Sequence, residues 1–241
     1  MCTVSFVRAN GSVIITSNRD EHIQRENAAA PDFHILPGKK IIFPKDARAG
    51  GTWFAAADNG TVAVLLNGAF KKHIAKPPYR KSRGLILLEI IEAGKPLSFF
   101  NSLNLDNIEP FTIVLYQSGI LHELRWDGTG KHVKQLDISG NYIWSSSTLY
   151  TDEIIERREN LFKQFIHAPC GITAAGIYNF HAGNNDDTEN GFIINRQTGM
   201  KTFSITQAII NDNAVNFLHT DLLQQKEYTE KMVINQDAIS I

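Results

Sequence analysis

The sequence predicts an α+β fold built mainly from antiparallel sheets. Short runs rich in β-branched residues recur along the chain and are separated by Asn-Gly, Ser-Gly and Asp-Gly turns. Two blocks with helical spacing and capping residues interrupt these runs. A chain of 241 residues buries a substantial core without a covalent staple, and it contains no linker, repeat or low-complexity tract. We therefore predict a single domain over residues 1–241.

The chain begins with a predicted hairpin. The runs "CTVSFVR" and "SVIITSN" favour strands, and Asn10-Gly11 between them favours a type I′ turn. A hairpin returns its second strand along the first, so the end of the second strand lies beside the start of the chain. The pattern therefore places Asn18, Arg19 and Asp20 next to Cys2.

A loop, a second hairpin and two helices are predicted next. Residues 21–40 contain Pro31 and a Pro-Gly pair but no sustained period, which is typical of a loop. The runs "TWFAAAD" and "TVAVLLNG" flank Asn59-Gly60 and form the second predicted hairpin. Ser82 precedes a helical run that ends at Gly94, and Pro96 opens a second, short helix.

The second half of the chain repeats the order of strands, helix and strands. We predict an antiparallel meander from "FTIVLYQ", "GILHELRW", "HVKQLDI" and "NYIWSSS". Thr151 caps a helix over "DEIIERRENLFKQFI", and residues 176–191 read as a polar loop. Strand character returns in "GFIINR", "MKTFSITQAII" and "NAVNFLH", whereas the tail from Asp221 shows no clear preference.

Charge and hydropathy exclude several classes of protein. The 24 basic and 25 acidic residues nearly cancel, which gives no field to attract nucleic acid or an anionic membrane. The most apolar stretch, "GLILLEIIEAG", is too short to cross a bilayer, contains Glu89, and predicts a core helix and no stable membrane insertion. The two cysteines, Cys2 and Cys170, lie far apart in the sequence and do not form a disulfide framework. The N-terminus does not resemble a signal peptide. We expect a cytoplasmic protein.

Cys2 becomes the first residue if the initiator methionine is removed, and its small side chain permits removal. Its free α-amine then lies on the same carbon as the thiol side chain. An α-amino group titrates near neutrality and can act as a base at working pH. One residue would thus supply both a nucleophile and a proton acceptor.

Three further residues suit an acyl-transfer site around Cys2. A guanidinium such as that of Arg19 favours the thiolate, and a carboxylate such as that of Asp20 can hold the amine. Neighbours along a strand point to opposite faces, so both reach Cys2 only if the strand end turns there. Asn67, at the end of "TVAVLLN", offers amide donors to a developing oxyanion.

Each of these residues also has a purely structural interpretation. A cysteine in a first strand is usually a small core residue, and a charged quartet is usually a solvated turn or a structural ion pair. Asn67-Gly68 is also a common turn dipeptide. The eight histidines form no metal-binding or haem-attachment motif, and "HAGNNDD" lacks the oxygen spacing of a calcium loop, so we predict neither a metal nor a cofactor.

Several segments together resemble the NRDE family of the transport and Golgi organisation protein type. They are "MCTV", "SNRDE", "AGGTWFA" and "VAVLLNG", followed by "WSSSTLY" and "NRQTGMKTFSITQ". That family is similar in turn to the N-terminal-nucleophile (Ntn) hydrolases of the choloylglycine hydrolase and penicillin V acylase type. The resemblance implies a four-layer αββα sandwich of two mainly antiparallel sheets, with Cys2 at the end of the first strand.

The resemblance also implies roles for individual residues. Cys2 would be the nucleophile, Arg19 and Asp20 its electrostatic partners, Asn67 an oxyanion donor, and Arg196 the later arginine of the bile-salt hydrolase type. Those hydrolases carry an asparagine where this chain has Ser146 or Ser147.

Two functions are compatible with this assignment. One is an amidohydrolase or acyl-transfer enzyme acting on a non-peptide amide or related acyl substrate. The other is a non-catalytic protein that uses the same pocket to bind or traffic haem or a lipid, since a fold does not fix a function. The expected ligand is a small amide, acyl or hydrophobic molecule, and the sequence leaves the oligomeric state open.

Overall fold

The computed structural model describes residues 2–169 and 171–234, and for Cys2 only the backbone. The strands of the first half are β1 (Cys2–Ala9), β2 (Ser12–His22), β3 (Ala29–Leu36), β4 (Lys39–Lys45), β5 (Phe54–Ala57) and β6 (Val62–Asn67). Those of the second half are β7 (Phe111–Gln117), β8 (Ile120–Trp126), β9 (Lys131–Leu136), β10 (Tyr142–Ser145), β11 (Met200–Ile210), β12 (Ala214–Asp221) and β13 (Lys226–Val233). The helices are α1 (Arg83–Glu92), α2 (Pro96–Ser102), α3 (Asp152–Ile166) and α4 (Ala174–Ala182).

The strands form two antiparallel sheets. The smaller sheet has the order β10-β1-β2-β11-β12-β13, and the larger runs β3-β4-β5-β6-β7-β8-β9. Val4 and Phe6 of β1 pack into the main core with residues of the larger sheet, so the two sheets lie face to face.

Each outer sheet face is covered by helices. Ile86 and Leu87 of α1 join the main core on the far side of the larger sheet, against β5 and β6. Val7 and Ile14 of the smaller sheet instead pack with Phe162 of α3 and Ile177 of α4. The layer order is α1 and α2, larger sheet, smaller sheet, α3 and α4, which confirms the four-layer αββα sandwich.

Local turn chemistry sets the first hairpin. Asn10 and Gly11 have φ values of 51° and 76°, as a type I′ turn requires. The register then pairs Cys2 with Arg19 across β1 and β2. The predicted position of the quartet beside the start of the chain is confirmed for the backbone.

Two of the predicted loops contain regular structure. Residues 21–40 were expected to form a loop, but β2 continues to His22 and β3 pairs with β4 around Gly38, whose φ is 72°. The prediction failed because β3 is an edge strand with several exposed side chains, so its stability comes from backbone pairing and leaves little sequence pattern. The predicted loop over 176–191 begins as α4, where Thr173 caps the helix by accepting a hydrogen bond from the Gly176 N–H.

Two strand predictions were also wrong. β10 does not extend the β7–β8–β9 meander but crosses to the smaller sheet and pairs with β1. The segment "GFIINR" forms no strand, although Asn195 makes a single bridge to Lys201. Phe192 and Ile194 are fully buried, so the apolar pattern there reflects burial and not pairing. Among the described helices, none combines the length and apolar character needed to cross a membrane.

Candidate functional site

A cleft of about 130 Å³ opens where β2 of the smaller sheet meets the larger sheet and the start of α1. We call it the inter-sheet cleft. Its lining comprises Arg19, Glu21, Arg25, Asp46, Ala49, Gly51, Thr52, Trp53, Leu65, Asn67, Ser82, Arg83 and Gly84. Two of the residues predicted from the sequence, Arg19 and Asn67, therefore share one concavity.

Arg19 is held rigidly in this cleft. Its Nη2 donates to Oδ2 of Asp46 at 2.8 Å and lies 3.8 Å from Oε2 of Glu21. The guanidinium carbon stands 4.4 Å from the centre of the Trp53 ring and 5.5 Å from that of Phe203. A stacked, ion-paired guanidinium with 4% of its side chain exposed presents a fixed positive charge to the cleft.

Asp46 connects Arg19 to a second arginine. Its Oδ1 accepts from Arg25 Nη2 at 2.9 Å and from the Ala49 N–H at 2.7 Å. Partial burial opposes ionisation, but these hydrogen bonds and the charges of Arg25 and Arg19 hold the pKa of Asp46 below its usual value. The carboxylate is therefore ionised at neutral pH and shared by two guanidinium groups.

Close backbone packing shapes the wall of the cleft beside α1. A Cβ atom on Gly51 would lie 2.4 Å from the carbonyl carbon of Gly84 and 2.5 Å from the Leu85 nitrogen. Only glycine allows the 50–52 segment to approach the first turn of α1 this closely. This contact explains Gly51 of the "AGGTWFA" motif, and the preceding Gly50 has a φ of 71°, which favours glycine.

Asp20 lies on the other face of the smaller sheet, under α3 and α4. It is fully buried, and its carboxylate accepts from Thr202 Oγ1 at 2.7 Å and from the Tyr150 hydroxyl at 3.2 Å. Burial raises the pKa of Asp20 despite these hydrogen bonds. The β-bulge between Thr202 and Ser204 in β11 falls opposite Arg19 and Asp20.

Asn18 shares this helix-facing side and ties the sheet to α4. Its Nδ2 donates to the carbonyl oxygens of His181 at 2.9 Å and Phe192 at 3.1 Å. The Oδ1 atom of Asn18 accepts from His181 Nδ1, which leaves Nε2 to accept from the Ser5 hydroxyl at 2.7 Å. Burial, followed by the charge of Arg158, lowers the pKa of His181 to about 3, so the imidazole is neutral.

Arg158 is a residue of this region that the sequence reasoning did not select. Its guanidinium carbon lies 4.3 Å from the ring centres of both Tyr150 and Phe192, and it donates to Ser145 Oγ and to Thr3 Oγ1 of β1. The side chain is 1% exposed. The sequence did indicate a buried role for Arg158, because the helical pattern of α3 places this arginine on the core-facing side.

Asn67 is held from behind by hydroxyl groups. Its carbonyl accepts from Ser146 Oγ at 2.8 Å, and the carbonyl of the following Gly68 accepts from Thr112 Oγ1 at 2.9 Å. A small cavity of about 20 Å³ lies behind this turn, and its lining includes Ser147 and Arg125. In the described part of the chain, Ser147 Oγ and Arg125 Nε are buried without a hydrogen-bond partner.

Arg196 lies apart from the inter-sheet cleft. It donates to the carbonyl oxygens of Glu189 and Leu149, and its guanidinium carbon is 5.2 Å from the Tyr150 ring centre. Arg196 and Asp20 thus both contact Tyr150 on the helix-facing side, whereas Arg19 and Asn67 line the cleft. The side chain of Cys2 and all of Cys170 lie outside the described residues.

Residues 2–169 and 171–234, which the structure describes, contain no candidate metal-binding cluster. No group of three or more histidine, cysteine, aspartate or glutamate side chains is arranged there to hold an ion.

The Transport and Golgi organisation 2 family matches residues 1–179, about three quarters of the chain. This protein belongs to that family. The match contains the NRDE quartet, the "AGGTWFA" segment and Asn67, and every residue that lines the inter-sheet cleft falls within it. No curated protein sequence matches the chain.

Solved structures share the fold of this family member. Two crystal structures of variants of conjugated bile acid hydrolase from Clostridium perfringens align with TM-scores of 0.54 and 0.56 at 9% and 10% identity, covering 96% of this chain and 92% of theirs. An N-acylethanolamine-hydrolyzing acid amidase ortholog from Caenorhabditis elegans aligns with a TM-score of 0.52 at 10% identity, covering 86% of this chain and 92% of its own. At this identity the likeness shows a common Ntn-hydrolase fold.

Proposed function

We propose that the protein is an Ntn-type amidohydrolase or acyl-transfer enzyme that uses Cys2, after removal of Met1, on a non-peptide amide or related acyl substrate. One observation carries the proposal. The strand register pairs Cys2 with Arg19, and the Arg19 guanidinium shares the inter-sheet cleft with Asn67. A nucleophile at position 2 would thus have a fixed cation beside it and an amide donor opposite.

The chemistry follows from these positions. The α-amine takes the thiol proton, and the thiolate sulfur attacks the carbonyl carbon while Asn67 donates to the oxyanion. The C–N bond then breaks, and the leaving nitrogen receives the proton from the amine. Water, or another acceptor in acyl transfer, attacks the thioester, takes the acyl group and returns the proton to the cysteine.

Arg19 and Asp20 are assigned different tasks because they face opposite sides of the sheet. Arg19 acts on the cleft side, where it favours the thiolate. The α-amine of a first residue belongs to the backbone and therefore lies near the plane of the sheet. Asp20, beneath that plane and held by Thr202 and Tyr150, is assigned to the amine.

The volume of the inter-sheet cleft argues against haem or lipid binding there. Sites for drug-sized ligands typically occupy about 300–1,000 Å³, and the inter-sheet cleft is smaller than this range at about 130 Å³. A larger cavity of about 690 Å³ lies at the other end of the sandwich, beside the turns at Gly11, Gly60 and Gly119. A carrier of a bulky hydrophobic ligand would use that cavity, and Cys2 would then have no role in binding.

Labelling and turnover test the proposal together. The intact mass should show loss of one methionine, and iodoacetamide should label Cys2 faster than Cys170 at neutral pH, because Arg19 favours the Cys2 thiolate. Cys2→Ala should abolish hydrolysis of a panel of simple amides, and the Cys170→Ala control should retain it. Equal, slow labelling of both cysteines with no amide cleaved would overturn the proposal in favour of a carrier.

A further inference from the structure

We propose that the acyl group accepted by the inter-sheet cleft is short and carries an acceptor oxygen at its far end, as in the monoamide of a small dicarboxylic acid. This inference rests on the proposed function and specifies its substrate class. Three features of the cleft support it: its volume, an unpartnered donor in its wall, and its charge.

The volume limits the length of the acyl group. A cavity of about 150 Å³ accommodates benzene, which has six non-hydrogen atoms, so a cleft of about 130 Å³ holds a group of roughly that size. Trp53 and Leu65 are 5% and 6% exposed and belong to the main core, so neither can swing aside to admit a long chain. A long acyl chain would have to leave the cleft and lie in solvent.

Trp53 provides a donor without an acceptor. Trp53 is one of the residues that line the cleft, and its Nε1–H is buried with no hydrogen-bond partner among the described residues. An indole N–H only donates, and a buried donor left unpaired costs about 1–3 kcal/mol. A ligand oxygen that reaches this group on binding would remove that cost.

The charge of the cleft favours an anionic oxygen. Arg19 and Arg25 share the single carboxylate of Asp46, and Glu21 stands 3.8 Å from Arg19. Arg83 also lines the cleft, and its partner Glu109, 2.9 Å away, is not a lining residue, so the lining has three arginines against the two carboxylates of Asp46 and Glu21.

The start of α1 adds positive potential to the same wall. Ser82, Arg83 and Gly84 line the cleft, and the first turn of this ten-residue helix contains no acidic side chain. The N-terminal end of a helix carries partial positive charge that a nearby anion stabilises. A carboxylate beside Trp53 would therefore meet an indole donor, a helix N-terminus and a guanidinium.

A matched set of amides tests the substrate class on the unmodified protein. Malonamate and 3-methylbutanamide have acyl groups of the same six non-hydrogen atoms, but only the first ends in a carboxylate, and octanamide supplies a long acyl chain. We expect kcat/KM for malonamate to exceed that for 3-methylbutanamide by about tenfold or more, which corresponds to one hydrogen bond to a charged group. Octanamide should be the poorest substrate.

The Trp53→Phe variant tests whether the indole N–H of Trp53 donates to the carboxylate of the substrate. This change keeps a ring under Arg19 but removes the N–H, so KM for malonamate should rise by about tenfold while kinetics with 3-methylbutanamide change little. Trp126→Phe is the control, since it removes a buried indole N–H that donates to the Ile108 carbonyl outside the cleft. This control should leave the preference between the two amides unchanged.

The outcomes separate this inference from the proposed function. Cleavage that is fastest for octanamide, or equal for the two short amides, would overturn the inference and leave the hydrolase proposal standing. If no amide is cleaved, the hydrolase proposal fails. Calorimetry on the Cys2→Ala protein then decides the inference, which requires malonamate to bind more tightly than 3-methylbutanamide.

Discussion

The quartet Asn18-Arg19-Asp20-Glu21 is divided between two sides of the smaller sheet. Arg19 and Glu21 line the inter-sheet cleft, whereas Asn18 and Asp20 are fully buried under α3 and α4. The alternation of side chains along a strand produces this division. Two of these four consecutive polar residues therefore line a cleft that is open to a ligand, and the other two lie between the sheet and the helices that pack on it.

Ser146 and Ser147 should respond differently to loss of their hydroxyl groups. Ser146 Oγ donates to the Asn67 carbonyl and exchanges a hydrogen bond with Thr148 Oγ1, whereas Ser147 Oγ has no partner among the described atoms. Ser146→Ala should destabilise the protein by about 1 kcal/mol. Ser147→Ala should be neutral or slightly stabilising, which urea denaturation of both variants measures. A larger loss for Ser147→Ala would show that its hydroxyl has a partner.

Asp46 should contribute stability that depends on pH. Its pKa is lowered in the folded protein, so its contribution is present above the ordinary value of 3.8 and is lost as pH falls through the folded value. Asp46→Asn should cost about 1–3 kcal/mol at pH 7, because hydrogen bonds from Arg19 and Arg25 to a charged group are lost.

Chemical denaturation at pH 7 and near pH 3 measures the effect of Asp46→Asn, and the cost should shrink at the lower pH. A cost that stays constant would mean that packing, and not the charge of Asp46, stabilises this side of the cleft.

At the scale of secondary-structure elements, the sequence predicted those features that a short stretch of residues determines by itself. The Asn10-Gly11 turn fixes the first hairpin, and Ser82 and Thr151 cap α1 and α3 by accepting from Leu85 and Ile154 N–H groups. The cleft residues Arg19 and Asn67 were found because each lies at or just beyond the end of a run with a clear strand pattern, although β2 itself continues to His22.

The missed features depend on distant partners. β10 has a strand pattern that does not reveal which sheet it joins, and it pairs with β1 about 140 residues earlier in the chain. α4 was missed because its buried face includes the polar His181, which packs against Asn18 and Ser5. No local rule predicts that a polar segment finds buried polar partners.

Gly51 tests whether the start of α1 shapes the cleft. In Gly51→Ala, the new methyl group would overlap the backbone of Gly84 and Leu85, which cannot move without displacing α1. We expect a loss of about 1–3 kcal/mol in unfolding free energy from overpacking. Gly94→Ala is the control, because no atom lies within 4 Å of its added Cβ. Equal stability of both variants would show that the 50–52 segment adjusts freely.

Considered as a whole, the molecule has an unusually polar layer between the smaller sheet and its helices. The titratable groups Asp20 and Arg158 lie there with the neutral His181, and each is at most 1% exposed. Hydrogen bonds connect this layer to β1, β2, α3 and α4. Changes in ionisation within it should therefore affect the stability of the entire fold.

Acid should destabilise the protein through its buried histidines. Burial lowers the pKa of His181 to about 3 and that of His219 to about 4. Both are neutral when folded, so the unfolded chain binds more protons once the pH falls below the ordinary value of 6.5. Their stabilising contribution is complete above pH 6.5 and declines as pH falls toward the folded values. Asp20 acts in the opposite sense because its pKa is raised, so variants are needed to isolate one histidine.

His181→Gln isolates the contribution of one histidine. The variant loses hydrogen bonds and should be less stable at pH 7.5, but the difference from the unmodified protein should narrow by about 1.4 kcal/mol for each pH unit below 6.5. Urea denaturation at pH 7.5, 5.5 and 4.5 measures this change. Ser5→Ala is the matched control, because it removes the partner of His181 Nε2 while leaving the imidazole in place. Its difference from the unmodified protein should stay nearly constant with pH, and parallel behaviour of the two variants would show that His181 does not titrate as its burial requires.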